Sequence, residues 1–393
     1  MEPPRPRGAT AAPRVVQAEP PARDAVDLLA SLLGSPRLRE VQPQPLLVLA
    51  KRPRNPRFEY LELLKRVIRE VYRVSTRHPP MIMHVGRRLT EYQLAMMRGG
   101  AGIYVVDLDE VAESEAGGAA LSRLTSGLED RLREVYAQPP GVVILYGSED
   151  ALRSLRRLWR PRYVATYLYT RIPEPVEVSL PEEDDVLRAV EALYALPEGS
   201  LGDAASVDEA VVKAESLLME CLRGHASDPV LGRMVRQAID DEESRPDDAP
   251  LHYGLKAAAV AHLLESGVRE TSIETEVAVS STPVDVYARR GWSGGLVVEA
   301  ETLTAAMNPS SRLAAVASSR TALGIGPVWV VLSPLTAGIY VEHVDAALRG
   351  YIDGGRVEAY VVDTQSCLLA PYRVHRERLL RVARRLWARR RQA

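Results

Sequence analysis

The chain has 393 residues, 46% hydrophobic and 26% charged, with a formal net charge of -2, a composition that excludes an intrinsically disordered protein and one that is basic as a whole. No apolar run approaches the ~20 residues of a bilayer-spanning helix and no signal peptide is visible, so no membrane partner and a cytoplasmic setting are expected. The two cysteines, Cys221 and Cys367, lie far apart in sequence without metal-ligand spacing, which predicts a reduced, intracellular pair.

In chain order, Met1 to Arg23 is rich in Pro, Ala and Arg, the composition of a flexible tail. Asp24 to Leu33 predicts a short helix stopped by Gly34. From Leu46 the pattern alternates between apolar runs and amphipathic stretches. Strands are predicted over Leu46–Ala50, Met81–Val85, Ile103–Asp107, Val142–Tyr146 and Tyr163–Tyr169. Helices are predicted over Glu59–Val74, Glu91–Met97, Leu121–Tyr136 and Ala151–Leu158. Strands that alternate with helices imply a parallel α/β sheet, which binds ligands at the carboxyl ends of its strands. Val105-Val-Asp-Leu-Asp-Glu110 superficially resembles a Walker B strand. No Gly-x4-Gly-Lys-Ser/Thr loop accompanies it, so these acids read as helix caps or loop residues. The run Lys51-Arg-Pro-Arg-Asn-Pro-Arg57 reads either as a phosphate contact or as a solvated loop.

A helical, acidic stretch follows. Pro181 to Asp185 caps a helix through Ala195, and further helices are predicted over Val207–Arg223 and Val230–Ile239. Asp240 to Asp248 is an acidic, proline-containing linker. Beyond it come a helix over Leu251–Ser266, strands at Ile273–Val279, around Asp285 and at Leu296–Glu301, a helix over Ser310–Leu323, and the apolar strand Val328–Leu332. A helix over Val341–Tyr351, a strand Val357–Val362 and a basic helix over Tyr372–Arg391 end the chain. The expected organisation is a tail and short helix (1–34), a parallel, Rossmann-like α/β domain (35–178), a helical segment with its linker (179–248) and a C-terminal α/β domain (249–393).

Chemistry concentrates between Pro283 and Thr302. Side chains alternate along a strand, so Glu299 and Glu301 share a face. Folding the hairpin about Trp292 places Asp285 opposite Glu299, at ~5 Å between β-carbons. Like charges so placed repel unless a cation lies between them, and hard cations such as Mg2+ take one or two carboxylates plus waters and substrate phosphates. Solvated surface acids are the bland alternative; the apolar Leu296-Val-Val run argues for a central strand instead.

The order helix, three-stranded meander, helix, strand, with these acids on the second and third strands, resembles the PD-(D/E)xK nuclease superfamily over Leu251 to about Pro334. The resemblance implies a restriction-endonuclease-like domain, a DNA partner and Mg2+ (or Mn2+) as cofactor. It implies Asp285 and Glu299 as metal ligands, with the carbonyl of Ala300 as a further one. The family motif has lysine where this chain has Glu301, and acid-x-acid-Thr variants similar to this occur among archaeal members. Arginine and alanine dominate, while Asn is nearly absent and Phe58 is the sole phenylalanine, a bias that suits a GC-rich genome and, with thermolabile residues depleted, a thermophile. Lysine is scarce: Lys51, Lys65, Lys213 and Lys256. Two residues can supply the missing cation: Lys256, from the first helix, with Glu301 joining the acidic cluster, or Arg312, from the helix after the meander.

Arg373, Arg376, Arg381 and Arg384 lie on the terminal helix, which has the single acid Glu377. Leu379, Val382 and Leu386 form its apolar stripe, so its arginines turn outward as a footprint for a polyanion. Among the histidines, His252 at the start of its helix could reach the site, although a helix-start histidine is more often a cap or surface residue. The expected function is a Mg2+-dependent DNA endonuclease, with a homodimer compatible. The alternative is a non-catalytic DNA-binding or regulatory protein on the same fold.

Overall fold

Two sheets organise the chain. The computed structural model describes residues 27–39, 46–76, 81–85, 102–113, 117–133, 141–158, 175–236, 249–290 and 294–392. The expected tail, the helix Glu91–Met97, the strand Tyr163–Tyr169, the linker Asp240–Asp248 and the turn at Trp292 lie outside them.

The N-terminal half contains α1 (Leu28–Leu33), β1 (Leu46–Lys51), α2 (Leu61–Ser75), β2 (Ile82–Val85), β3 (Ile103–Asp107), α3 (Leu108–Ala112), α4 (Gly117–Arg133), β4 (Val142–Gly147), α5 (Glu149–Leu158) and β5 (Val176–Val178). Its sheet has the order β2-β3-β4-β1-β5 and every pairing is parallel, as the alternating pattern predicts. Strand β4 is buried along its whole length, which is why it reads as a continuous apolar run rather than an alternating one. The Walker-like acids act locally. The Asp107 carboxylate caps α3 by accepting from the N–H of Asp109 (3.0 Å) and of Glu110 (3.1 Å). Asp107 and Asp109 together hold Arg52, at 2.6 and 2.5 Å.

The middle segment is α6 (Asp185–Leu193), α7 (Val207–Ser227) and α8 (Pro229–Arg236). The C-terminal half follows as α9 (Ala249–Glu265), β6 (Ile273–Val279), β7 (Thr282–Arg290), β8 (Gly294–Glu301), α10 (Pro309–Thr321), β9 (Val328–Leu332), α11 (Pro334–Ile339), α12 (Val341–Asp353), β10 (Val357–Val362), β11 (Leu369–Pro371) and α13 (Tyr372–Arg390). The second sheet is mixed, in the order β11-β10-β9-β8-β7-β6. Strands β6, β7 and β8 form an antiparallel meander, β9 and β10 continue parallel to β8, and β11 pairs antiparallel with β10. Gly326 is required where β8 and β9 meet: a β-carbon there would lie 2.0 Å from the carbonyl oxygen of Gly295. The sequence does not announce α11 or β11, whose six and three residues are too short to establish a period.

The two halves share buried apolar surface, from Leu28 on α1 to Leu386 on α13. Arg390 on α13 donates to the carbonyls of Ser31 (2.8 Å) and Leu32 (3.0 Å), so part of the basic helix serves as a clasp onto α1. The cysteine expectation is corrected: Cys221 on α7 and Cys367 before β11 form a disulfide, with 5.3 Å between α-carbons across a sequence separation of 146. Tertiary packing, not spacing, brings them together. No helix among the described residues is long and apolar enough to cross a membrane.

Candidate active site

The acids converge because the meander pairs in one register. Val286 stands opposite Val298, so the next step sets Asp285 beside Glu299, as the alternation predicts. On the other side, Thr275 and Val277 pair with Val286 and Val284, which sets Glu276 next to Asp285. Glu276 holds a left-handed backbone (φ 49°), a costly conformation for a non-glycine residue and a frequent mark of functional sites. Glu299 and Glu301 are buried, at 4% and 5% exposure.

Two helices bring the counter-charges. Helix α9 is apolar nearly all round and buried, as its run of Ala257, Ala258, Ala259 and Val260 dictates. His252 and Lys256 are four apart and therefore share a face. The His252 Nε2 lies 3.2 Å from Asp285 Oδ2. The Lys256 Nζ, fully buried, contacts Glu276 and stands 3.8 Å from Asp285 Oδ1. Helix α10 returns antiparallel to β8, so its residues meet the strand in reverse order. Arg312 binds Glu301 through Nε (3.2 Å) and its terminal nitrogen (3.0 Å). Arg320, about 12 Å further along the helix, binds Glu299 through Nε (2.5 Å) and its terminal nitrogen (3.2 Å). The N–H of Ala300 donates to Asp285 Oδ2 at 2.7 Å.

Electrostatics follow from this packing. Burial pushes the Glu299 carboxyl up to about 7; Asp285 and Glu301 add to the rise while Arg320 opposes it. Burial likewise raises Glu301 against the pull of Arg312. Asp285 goes the other way: burial disfavours its charge, but His252, Lys256 and the Ala300 N–H outweigh that and hold it below its ordinary value. Carboxyls of one cluster thus have pKa values pushed apart, the usual condition of groups with distinct roles.

The sequence-predicted residues Asp285, Glu299, Ala300, Glu301, Lys256 and Arg312 therefore meet in one place. Of the two readings open for His252, reaching the site and serving as a cap or surface residue, the first holds: it is the partner of Asp285. Arg320 went unnoticed; a signal exists in its position eight residues after Arg312, which leaves both within one broad helical stripe. The terminal helix divides. Arg373, Arg381 and Arg384 are exposed and make no ion pair with a described residue, whereas Arg376 is part-buried and pairs with Asp345 at 2.6 Å. Asp345 lies on α12, which sequence periodicity did not orient.

Among the described residues no group of three or more His, Cys, Asp or Glu side chains is disposed to hold a metal ion. Glu299 and Glu301 are buried carboxylates beside the part-buried Asp285, the donor type that hard divalent cations take, and Glu299 is raised to about 7 by burial and its neighbours. The counter-charge at Glu299 comes from Arg320. No family model and no curated protein matches the chain.

Proposed function

We propose that the C-terminal half is a nuclease domain similar to the PD-(D/E)xK superfamily that hydrolyses phosphodiester bonds in DNA. The observation that carries this reading is the juxtaposition of Asp285 with Glu299 on paired strands, with the buried Lys256 Nζ 3.8 Å from Asp285. Asp285 and Glu299 would hold Mg2+ or Mn2+, with Ala300 beside them. When bound, such an ion supplies charge neutralisation at the phosphate and a water of lowered pKa. Lys256 takes the place of the motif lysine, from α9 instead of from β8. Its ammonium is fixed by Glu276, so it presents positive charge beside Asp285 without reorganisation. His252 keeps Asp285 ionised. Arg312, half exposed at the rim on Glu301, is the cation within reach of a scissile phosphate, and Arg373, Arg381 and Arg384 extend a positive surface for the backbone.

A second reading, a nucleic-acid-binding module without cleavage, is favoured by one observation: Asp285, Glu276, Glu299 and Glu301 each already have a cationic partner. The two separate in one experiment. Supercoiled and branched DNA is incubated with the protein in Mg2+, in Mn2+ and in chelator, with Asp285→Ala in parallel. Metal-dependent nicking abolished by Asp285→Ala supports the nuclease. Retention of DNA affinity with no cleavage by either protein refutes it and supports the binding module.

A further inference from the structure

The loop that leaves the acid-bearing strand is held from the N-terminal half of the chain. Between β8 and α10, Leu303, Ala305 and Met307 sit at φ 60°, 53° and 51°, a strained state for non-glycine residues that survives only where contacts over-determine it. Those contacts come from the last turn of α2. The orphan carbonyls of Arg73 and Val74 accept the N–H groups of Ala305 (3.1 Å) and Met307 (3.3 Å). The Arg73 guanidinium donates to the Thr302 carbonyl at 2.7 Å and to the Thr304 hydroxyl. Glu70 locks that guanidinium at 2.7 and 3.0 Å, and accepts in turn from the Thr336 hydroxyl on α11. Thr302 directly follows Glu301, and Asn308 caps α10, the helix of Arg312 and Arg320. The clamped loop thus sets the spacing between the acids of β8 and the arginines that neutralise them.

We infer that Arg73 is a positioning residue of the acidic site, acting across the interface between the two halves through the loop 302–308. Its effect on turnover rests on the nuclease reading above; the clamp itself does not. A fork is needed because one side chain must reach Glu70, the Thr302 carbonyl and the Thr304 hydroxyl together, which a lysine's single ammonium cannot do.

Full-length Arg73→Lys is compared with wild type and with Glu342→Gln, which breaks a different contact between the same halves (Arg39 to Glu342, 2.8 Å). Arg73→Lys is expected to lower kcat for Mg2+-dependent cleavage by about 10- to 100-fold with KM nearly unchanged, since small misplacements of reacting groups cost about that much. Glu342→Gln leaves both constants close to wild type. Native-state thermolysin is expected to cut within 302–307 about tenfold faster in Arg73→Lys than in either comparator. Thr304→Val gives the same signature and Thr304→Ser restores wild-type behaviour, so the test stands even if Arg73→Lys fails to fold. Unchanged kcat in Arg73→Lys and Thr304→Val, or an equal loss in Glu342→Gln, overturns the inference. If wild type does not cleave DNA, the nuclease reading fails alone and proteolysis decides: wild-type cutting rates in both loop-clamp variants overturn the positioning role.

Discussion

Replacing Glu299 with glutamine should stabilise the protein at alkaline pH, and the size of the effect follows from the site. The carboxyl titrates at about 7 in the folded chain against 4.5 as its ordinary value. The folded state therefore binds more protons than the unfolded state between those two values, and stability falls as pH rises through that window. The difference of about 2.5 units corresponds to ~3 kcal/mol, fully present as a loss above pH 7 and absent below pH 4.5. Glutamine carries no charge to desolvate, so Glu299→Gln matches wild type near pH 4.5 and exceeds its stability by ~3 kcal/mol at pH 8. Urea denaturation of both proteins across pH 4.5 to 8 reads the gap directly. Under the proposed metal site, Mg2+ at pH 8 should narrow it, because an ion held by the native wild type would stabilise that protein alone. A gap that does not change with pH, or a Glu299→Gln protein less stable at pH 8, refutes the argument that burial and neighbouring carboxylates govern this group.

Three further outcomes are expected. Burial holds the His375 imidazole down at about 4, against 6.5, so its contribution is present above pH 6.5 and is lost as pH falls towards 4. His375→Gln, which keeps a donor for the Pro334 carbonyl, should flatten that acid limb by up to ~3 kcal/mol in urea titrations; an unchanged limb contradicts it. The Cys221–Cys367 bridge spans 146 residues, so Cys221→Ser with Cys367→Ser should cost up to ~5 kcal/mol by loop-closure entropy. Equal midpoints for the oxidised protein and the double variant would discount the bridge. Combined Arg373→Ala, Arg381→Ala and Arg384→Ala should lower the slope of log affinity for DNA against log salt by about 2 to 3. An unmoved slope would remove the terminal helix from the proposed DNA interface.

Periodicity carried the α/β class and the order of most strands and helices. Ile103–Asp107, Ile273–Val279, Val328–Leu332 and Val357–Val362 appear as strands with the predicted bounds, because each is a β-branched run closed by residues of opposite preference. Alternation likewise implied that Glu299 and Glu301 share a face and that Asp285 faces them, since side-chain direction along a strand is set by covalent geometry. What covers that face is set at longer range. The face of α9 that meets β7, the antiparallel return of α10 that delivers Arg320 to Glu299, and the capture of Arg376 by Asp345 depend on packing of segments distant in sequence. The same holds for the disulfide across 146 residues and for Arg73 reaching Thr302 from the other half of the chain. Local patterns determine which way a side chain points from its own backbone; only the tertiary structure decides which charge waits there, because that partner's position is fixed by the burial of surfaces hundreds of atoms away.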